Sequence, residues 1–222
     1  MGPIGFWGAC QLICLALFLG IKSWRTINLI VRHGLNPITL RVRKRGLQGL
    51  VELSLFVNVN FWAAAVVVCA IAPGLVSDSW LLGTPLLPIH VTRYAGFVLL
   101  VLALIILVQG QTALGTAWRL GIDERHPGAL VTDGIYARTR NPIYLFFDLY
   151  FAGTFLMNGT LFFALSAAFT VLNLHYQILK EEEYLAQVHG PPYEVYRARA
   201  PRYWNGWRAV RSGHKVGEVD VG

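Results

Sequence analysis

Apolar residues in this chain come in blocks: Phe6 to Ile21, Leu50 to Ala72, Tyr94 to Leu114, and a longer run from Pro142 to Ile178. Crossing a hydrocarbon core takes about 20 residues at the helical rise, so the first three blocks each predict one membrane helix. The fourth is too long for one span, and Met157-Asn158-Gly159 near its middle supplies turn chemistry. It predicts two short helices back to back, each short enough to stop before the far side. After Ile178 the pattern predicts that the helix runs on into water through Lys180 and Glu181 to Glu183, until Gly190-Pro191-Pro192 stops it. A short helix over roughly Tyr193 to Arg199 follows. The expected fold is all-α, with about five transmembrane helices, the last two a hairpin, and a cytosolic C-terminal helical extension.

Composition agrees with that pattern. The chain has 222 residues, of which 55% are hydrophobic and 14% charged, with a mean hydropathy of +0.50. These values point to an integral membrane protein. A formal charge of +7 raises the question of nucleic acid, but the basic residues are distributed by topology, and no nucleic-acid partner is expected. Lys22, Arg25, Arg32, Arg41, Arg43, Lys44 and Arg45 follow the first span without an acidic residue, while Pro73 to Val91 holds Asp78 and no Lys or Arg. The first of these loops is expected in the cytoplasm and the second outside. Five spans then place the N-terminus outside and the C-terminus inside, in a bacterial inner membrane or the endoplasmic reticulum.

The first span has no Lys or Arg before it and no small-residue cleavage pattern after it, so it is expected to stay as an anchor. Phe6 stands where a myristoylation signal wants Ser or Thr. Residues 22 to 49 alternate basic and apolar side chains around Asn36-Pro37, as suits a broken amphipathic helix or a loop lying on the inner leaflet. Glu52, Asn58 and Asn60 in the second span either face a polar cavity or bond a neighbouring helix, and the second is expected. Cys10, Cys14 and Cys69 have no metal or redox spacing and read as packing residues, so no metal is expected. The organisation expected is a membrane region over 1–113, a core over 114–204 and a flexible tail over 205–222.

Two polar clusters frame the hairpin. Gly134, Tyr136, Arg140, Asn141, Pro142 and Tyr144 precede it, and Glu181, Glu182, Gly190, Tyr193 and Tyr196 follow it. A hairpin returns both clusters to one side of the membrane, where arginines and carboxylates are expensive unless they act. Asn141-Pro142 also fits a plain helix start, with Asn capping and Pro at the first position, and Arg140 would then only snorkel. Glu181 to Glu183 sit at a helix C-terminal side, where acidic groups oppose the macrodipole. A cationic partner would resolve that, either Arg140 or another loop arginine, or a bound ligand bearing an ammonium or sulfonium.

Leu130-Val-Thr-Asp-Gly134-Ile-Tyr136, Arg140-Asn-Pro-Ile-Tyr144, Glu181-Glu182-x-x-Leu185-x-x-x-His189-Gly190-x-x-Tyr193-x-x-Tyr196 and Pro201-Arg202, in this order, resemble the isoprenylcysteine carboxyl methyltransferase and phospholipid methyltransferase family. The resemblance covers roughly residues 114 to 203. It implies S-adenosylmethionine as methyl donor, bound on the cytosolic side. Carried over residue by residue, the cofactor contacts fall on Ala129, Leu130, Val131, Tyr136, Arg140, Asn141, Pro142, Ile143, Tyr144 and Glu181. The ligand's chemistry agrees: its ammonium wants a carboxylate, its carboxylate wants an arginine or helix N-terminal N–H groups, and its sulfonium tolerates an aromatic face.

Two departures bear on the acceptor. Asn141 stands where many relatives have His, which removes an imidazole at that point. Gln177, four residues before Glu181, stands where isoprenylcysteine enzymes have a substrate-binding Arg, so the acceptor side is marked by an amide without the guanidinium that would hold a prenylcysteine carboxylate. The acceptor is expected to be a lipophilic or small membrane-accessible molecule: a prenylcysteine carboxylate, a phospholipid amine or a thiol. An amine must lose a proton, and His175, Glu182 and His189 are the candidate bases. Membrane reductases for steroids and enoyl lipids, which use NADPH, have a similar architecture and form the rival enzyme class, although the chain has no Gly-rich dinucleotide fingerprint. A non-catalytic membrane protein that keeps the fold is the third reading.

Overall fold

The computed structural model describes residues 4–33, 46–115 and 129–204. Asn36-Pro37, the basic residues from Arg41 to Arg45, the loop residues Trp118 to Pro127-Gly128 and the tail from residue 205 lie outside the described residues. The elements are α1 (Phe6–His33), α2 (Leu47–Ile71), α3 (Ile89–Leu114), α4 (Pro142–Asn158), α5 (Leu161–His189) and α6 (Pro191–Arg199), with 3-10 turns at Pro73–Leu75 and Gly134–Ala137. No strand occurs among the described residues. The protein is an all-α integral membrane protein.

Four helices are long and apolar enough to cross a membrane among the described residues: Phe6–Arg32, Leu47–Ile71, Ile89–Leu114 and Leu161–His189. The fifth expected span, α4, has 17 residues, or about 25 Å of helix against a core of about 30 Å. It is the shorter half of the hairpin. The first helix runs further than its apolar block, through Lys22 and Arg25 to His33, because the basic side chains interrupt hydropathy without interrupting helix propensity.

Between helices in lipid there is little hydrophobic drive, so small residues and polar pairs set the contacts. The chain uses both. A Cβ on Gly96 of α3 would lie 2.6 Å from the Gly153 carbonyl oxygen of α4, and one on Gly153 would lie 2.8 Å from that of Gly96. The two backbones are in direct contact there, and at the other end of the antiparallel pair Gly110 makes room for the Ile143 side chain, whose Cδ1 would lie 2.8 Å from an added Cβ. Aromatic rings fill the centre: Trp62 of α2 stacks on Phe151 at 4.6 Å, and Phe18 of α1 lies against Phe146 and Tyr150.

Polar bridges fix the register. Asn58 donates to Thr170 Oγ1 at 2.9 Å and accepts from Ser166 Oγ at 3.0 Å, as expected of an interhelical residue. Asn60 instead bonds the Phe56 carbonyl of its own helix, being exposed on the other side of α2. Asn158 donates to Gln11 Oε1 at 2.8 Å. The hairpin turn closes with Gly159 at φ 67, a left-handed residue where a Cβ would also strike Ile89 at 2.8 Å. Segment 81–93 clasps this turn through Leu86 N–H to Gly159 O, Phe162 N–H to Leu81 O and Arg93 Nε to Met157 O.

Candidate functional site

The hairpin brings the start of α4 beside the late turns of α5, and a clamp of charged groups holds them there. Glu182 on α5 is buried. Arg140 donates from Nη2 at 2.9 Å and Nε at 3.2 Å to its Oε1, Arg202 donates from Nη2 at 2.9 Å and Nε at 3.1 Å to its Oε2, and Asn141 Nδ2 reaches Oε1 at 3.1 Å. Arg140 also donates from Nη1 to the Ala200 and Arg197 carbonyls, which closes the C-terminal end of α6. The segment after α6 is stitched to the start of α4 by Arg140 N–H to Pro201 O and by Thr139 Oγ1 and Asn141 Nδ2 to Arg202 O.

This clamp corrects two expectations. Asn141 occupies the N-cap position and Pro142 the first helical position, but the Asn141 side chain makes no cap hydrogen bond because its amide is drawn to Glu182. Arg140 does not snorkel toward phosphates; its side chain is 8% exposed and paired. The cation that the acidic run required is therefore supplied twice, by Arg140 and by Arg202, and both go to Glu182. As a candidate base Glu182 is poorly suited, since both its oxygens accept from guanidiniums and protonation would break those bonds.

Glu181, one residue earlier, faces a different group. Tyr144 on α4 donates its hydroxyl to Glu181 Oε2 at 2.5 Å. Burial first and the Glu181 carboxylate next push the Tyr136 phenol above its ordinary value, which puts Tyr136 in the field of the same carboxylate. Tyr144 and Glu181 are thus joined across α4 and α5, with Tyr136 of the preceding turn in the field of that carboxylate. Glu183, by contrast, is exposed and pairs with Lys180 at 2.9 Å along the helix surface.

A small apolar cluster backs the site. Ile135, Tyr136, Tyr193, Tyr196 and Ala200 are buried together, with Leu130 and Val131 packed against them. Gly134 at φ 62 makes the tight turn that presents Tyr136, and Tyr196 Oη donates to the Tyr136 carbonyl at 2.9 Å. Burial pushes the Tyr193 phenol up to about 12 and raises Tyr196 as well, so both hydroxyls stay protonated at neutral pH. The Tyr193 hydroxyl is buried without a hydrogen-bond partner among the described residues.

The remaining candidates are spread along the hairpin. Pro142 and Ile143 open α4 beside Tyr144, and Ala129 lies exposed at the beginning of the described loop. Gln177 lies one turn before Glu181 on the same side of α5. His175 is exposed and its Nδ1 lies 2.6 Å from the Tyr203 hydroxyl, with the two rings stacked. His189 ends α5, eight residues or about 12 Å beyond Glu181, and is not brought to Tyr144. Sequence reasoning gave no role to Arg202, Tyr203 or Asp148. Pro201-Arg202 was visible in the motif, and Asp148 is the one acidic residue between Pro142 and Ile178.

Residues 91–191 match the phospholipid methyltransferase family. Over 73 residues the chain is 38% identical to a protein-S-isoprenylcysteine O-methyltransferase of Schizosaccharomyces pombe, covering 32% of this chain and 31% of the relative. The aligned part thus spans under a third of that curated relative's length. The family match runs from the start of α3 to the start of α6, so it contains the hairpin, Tyr144 and the Glu181-Glu182 pair. The resemblance carried by the motifs is borne out over that segment.

Proposed function

We propose that this chain is a membrane methyltransferase that takes its methyl group from S-adenosylmethionine and acts on a lipophilic or small membrane-accessible acceptor. The observation that carries the reading is the Tyr144–Glu181 hydrogen bond at 2.5 Å, which joins the two motif clusters across the hairpin. The residues fit the cofactor's chemistry. Glu181 offers a carboxylate for an ammonium, and Tyr136 and Tyr144 offer aromatic faces for a sulfonium. The start of α4 has no side-chain cap, so its first-turn N–H groups at Ile143 and Tyr144 suit a carboxylate. Leu130 and Val131, packed on the tyrosine cluster, give an apolar wall.

When bound, S-adenosylmethionine supplies an electrophilic methyl group on a positively charged sulfur. The chain's own residues bind and orient. Glu182 works behind the site: by holding Arg140, Asn141 and Arg202 it fixes the angle between α4, α5 and the segment after α6, so that Tyr144 and Glu181 stay in register. Such positioning is the main demand of an in-line displacement. The buried Tyr193, Tyr196 and Ile135 exclude water from the rear. In this reading residues 114–204 form the cofactor-binding core on the cytosolic side, 1–113 the membrane anchor, and the N-terminus lies outside.

Incubating the purified protein with methyl-labelled S-adenosylmethionine and a total membrane lipid extract tests the proposal. Label entering the organic phase with the wild type, and not with Glu181→Gln, is the expected result. Oxidation of NADPH by an enoyl or steroid lipid, without methyl transfer, would favour the reductase reading instead.

A further inference from the structure

A cavity lies away from the hairpin, between α1 and α3. It is a groove of about 550 Å³, lined from Cys10 to Leu17 on one helix and from Phe97 to Gln109 on the other. Cys14 and Leu104 are buried at its floor, while Ile13, Leu17, Ile105 and Val108 are exposed along its rim. The groove therefore opens sideways to the bilayer, and its volume is that of a small-molecule pocket.

Its dimensions fit one lipid chain. Phe97 and Gln109 are twelve residues apart, about 18 Å along a helix, against about 15 Å for half of a hydrocarbon core. The two helices run parallel, since Trp7 meets the Tyr94 ring at one end and Arg25 donates from Nη2 to the Gly115 carbonyl at the other. Arg25 is eight residues past Leu17, and Gly115 six past Gln109. Their backbones stand about 9–12 Å beyond the end of the groove, at the level of a headgroup layer about 5–8 Å deep. A guanidinium on its flexible stem spans the difference.

That end of the groove carries an unanswered positive charge. Arg25 reaches no carboxylate among the described residues, and its Nε is buried without an acceptor. Its bond to Gly115 is an ordinary helix cap, which leaves the charge and the other donors unused. Neither α1 nor α3 contains an Asp or Glu. Asn28 and Arg32 follow Arg25 by three and seven residues, on the same face of α1. Trp24 beside them is 67% exposed, as suits an aromatic at the membrane–water interface. A chain-shaped apolar groove thus ends in a cationic, donor-rich patch.

We infer that the α1–α3 groove binds a membrane phospholipid of net negative charge, one acyl chain filling the groove and the phosphate meeting Arg25. A zwitterionic lipid offers the same chain but brings its own cation to the arginine, so headgroup charge separates this site from general lipid contact. The bound lipid braces α1, which lies outside the matched segment 91–191, against α3. It is held and not converted, so the inference stands apart from methyl transfer.

Nondenaturing mass spectrometry of the full chain in neutral detergent tests this, with dioleoyl phosphatidylglycerol or dioleoyl phosphatidylcholine added to wild type, Arg25→Gln and Arg199→Gln. Wild type should hold the anionic lipid about tenfold more tightly, the scale of a hydrogen bond to a charged group. Arg199→Gln should match it, and Arg25→Gln should bring the two lipids to near-equal retention. Location is read from the native thiols: saturating phosphatidylglycerol should slow alkylation of Cys10 by N-ethylmaleimide relative to Cys69, which is not in the groove. Val108→Phe, which fills the groove and leaves Arg25 in place, should lose the bound lipid. Equal retention of the two lipids by wild type overturns the inference, as does a preference that survives Arg25→Gln or a Cys10 rate unmoved by the bound lipid. If Arg25→Gln does not fold, the wild-type preference and Val108→Phe decide.

Discussion

Glu182→Ala is the severest single change to the clamp. The carboxylate is the common acceptor of Arg140 at 2.9 Å, Arg202 at 2.9 Å and Asn141 at 3.1 Å. Arg140, 8% exposed, would be stranded as a buried charge, and deleting one partner of a buried pair costs about 3–5 kcal/mol. Arg202 is 32% exposed, so water screens it, and its share adds less than about 1 kcal/mol. The sum is near 4 kcal/mol, roughly a thousandfold in the folding equilibrium. Glu183→Ala is the control: its pair with Lys180 is 46% and 57% exposed, and its loss should cost below about 1 kcal/mol. The assay is reversible unfolding in mixed micelles of increasing dodecyl sulfate fraction, followed by helical circular dichroism. The double variant Arg140→Gln with Glu182→Gln should recover part of the loss, because it removes both charges together. Equal losses for Glu182→Ala and Glu183→Ala would refute the idea that the clamp holds the hairpin.

Gly96→Ala should destabilise by about 1–3 kcal/mol, because the new Cβ meets the Gly153 carbonyl oxygen at 2.6 Å, whereas Gly20→Ala, with nothing within 4 Å, should not; the same unfolding assay compares them. Tyr144→Phe removes the donor to Glu181 and should weaken S-adenosylhomocysteine binding about tenfold in calorimetry, the scale of a hydrogen bond to a charged group. Orientation is checked by an impermeant maleimide on sealed cells, with the native cysteines replaced: Asp78→Cys should label from outside, and Glu194→Cys only after permeabilisation.

Much of the hairpin was legible because its signals are local. Met157-Asn158-Gly159 announced a turn, and Gly159 takes the left-handed conformation that such a turn needs. The helix past Ile178 and its stop at Gly190 followed from helix-forming residues and the Pro-Pro pair, and α5 does end at His189. The division of labour between adjacent glutamates was not legible. Glu181 and Glu182 differ by 100° of helix rotation, which sends one to Tyr144 and the other to Arg140, Asn141 and Arg202. That split depends on pairings 20 to 42 residues apart in the chain, which no periodicity encodes. Asn141 shows the same limit, since a good cap residue was overridden by a buried carboxylate. The extension of α1 through Lys22 and Arg25 was missed because hydropathy marks where the membrane ends and says nothing of where the helix does.

The most direct measurement is calorimetric titration of S-adenosylhomocysteine into the detergent-purified protein, with Glu181→Gln and Glu183→Gln alongside and NADPH as competitor. Saturable binding that Glu181→Gln weakens by at least tenfold, that Glu183→Gln leaves unchanged and that NADPH does not displace is the predicted result. Absence of binding, or equal effects of the two substitutions, would contradict a cofactor site built across Tyr144 and Glu181.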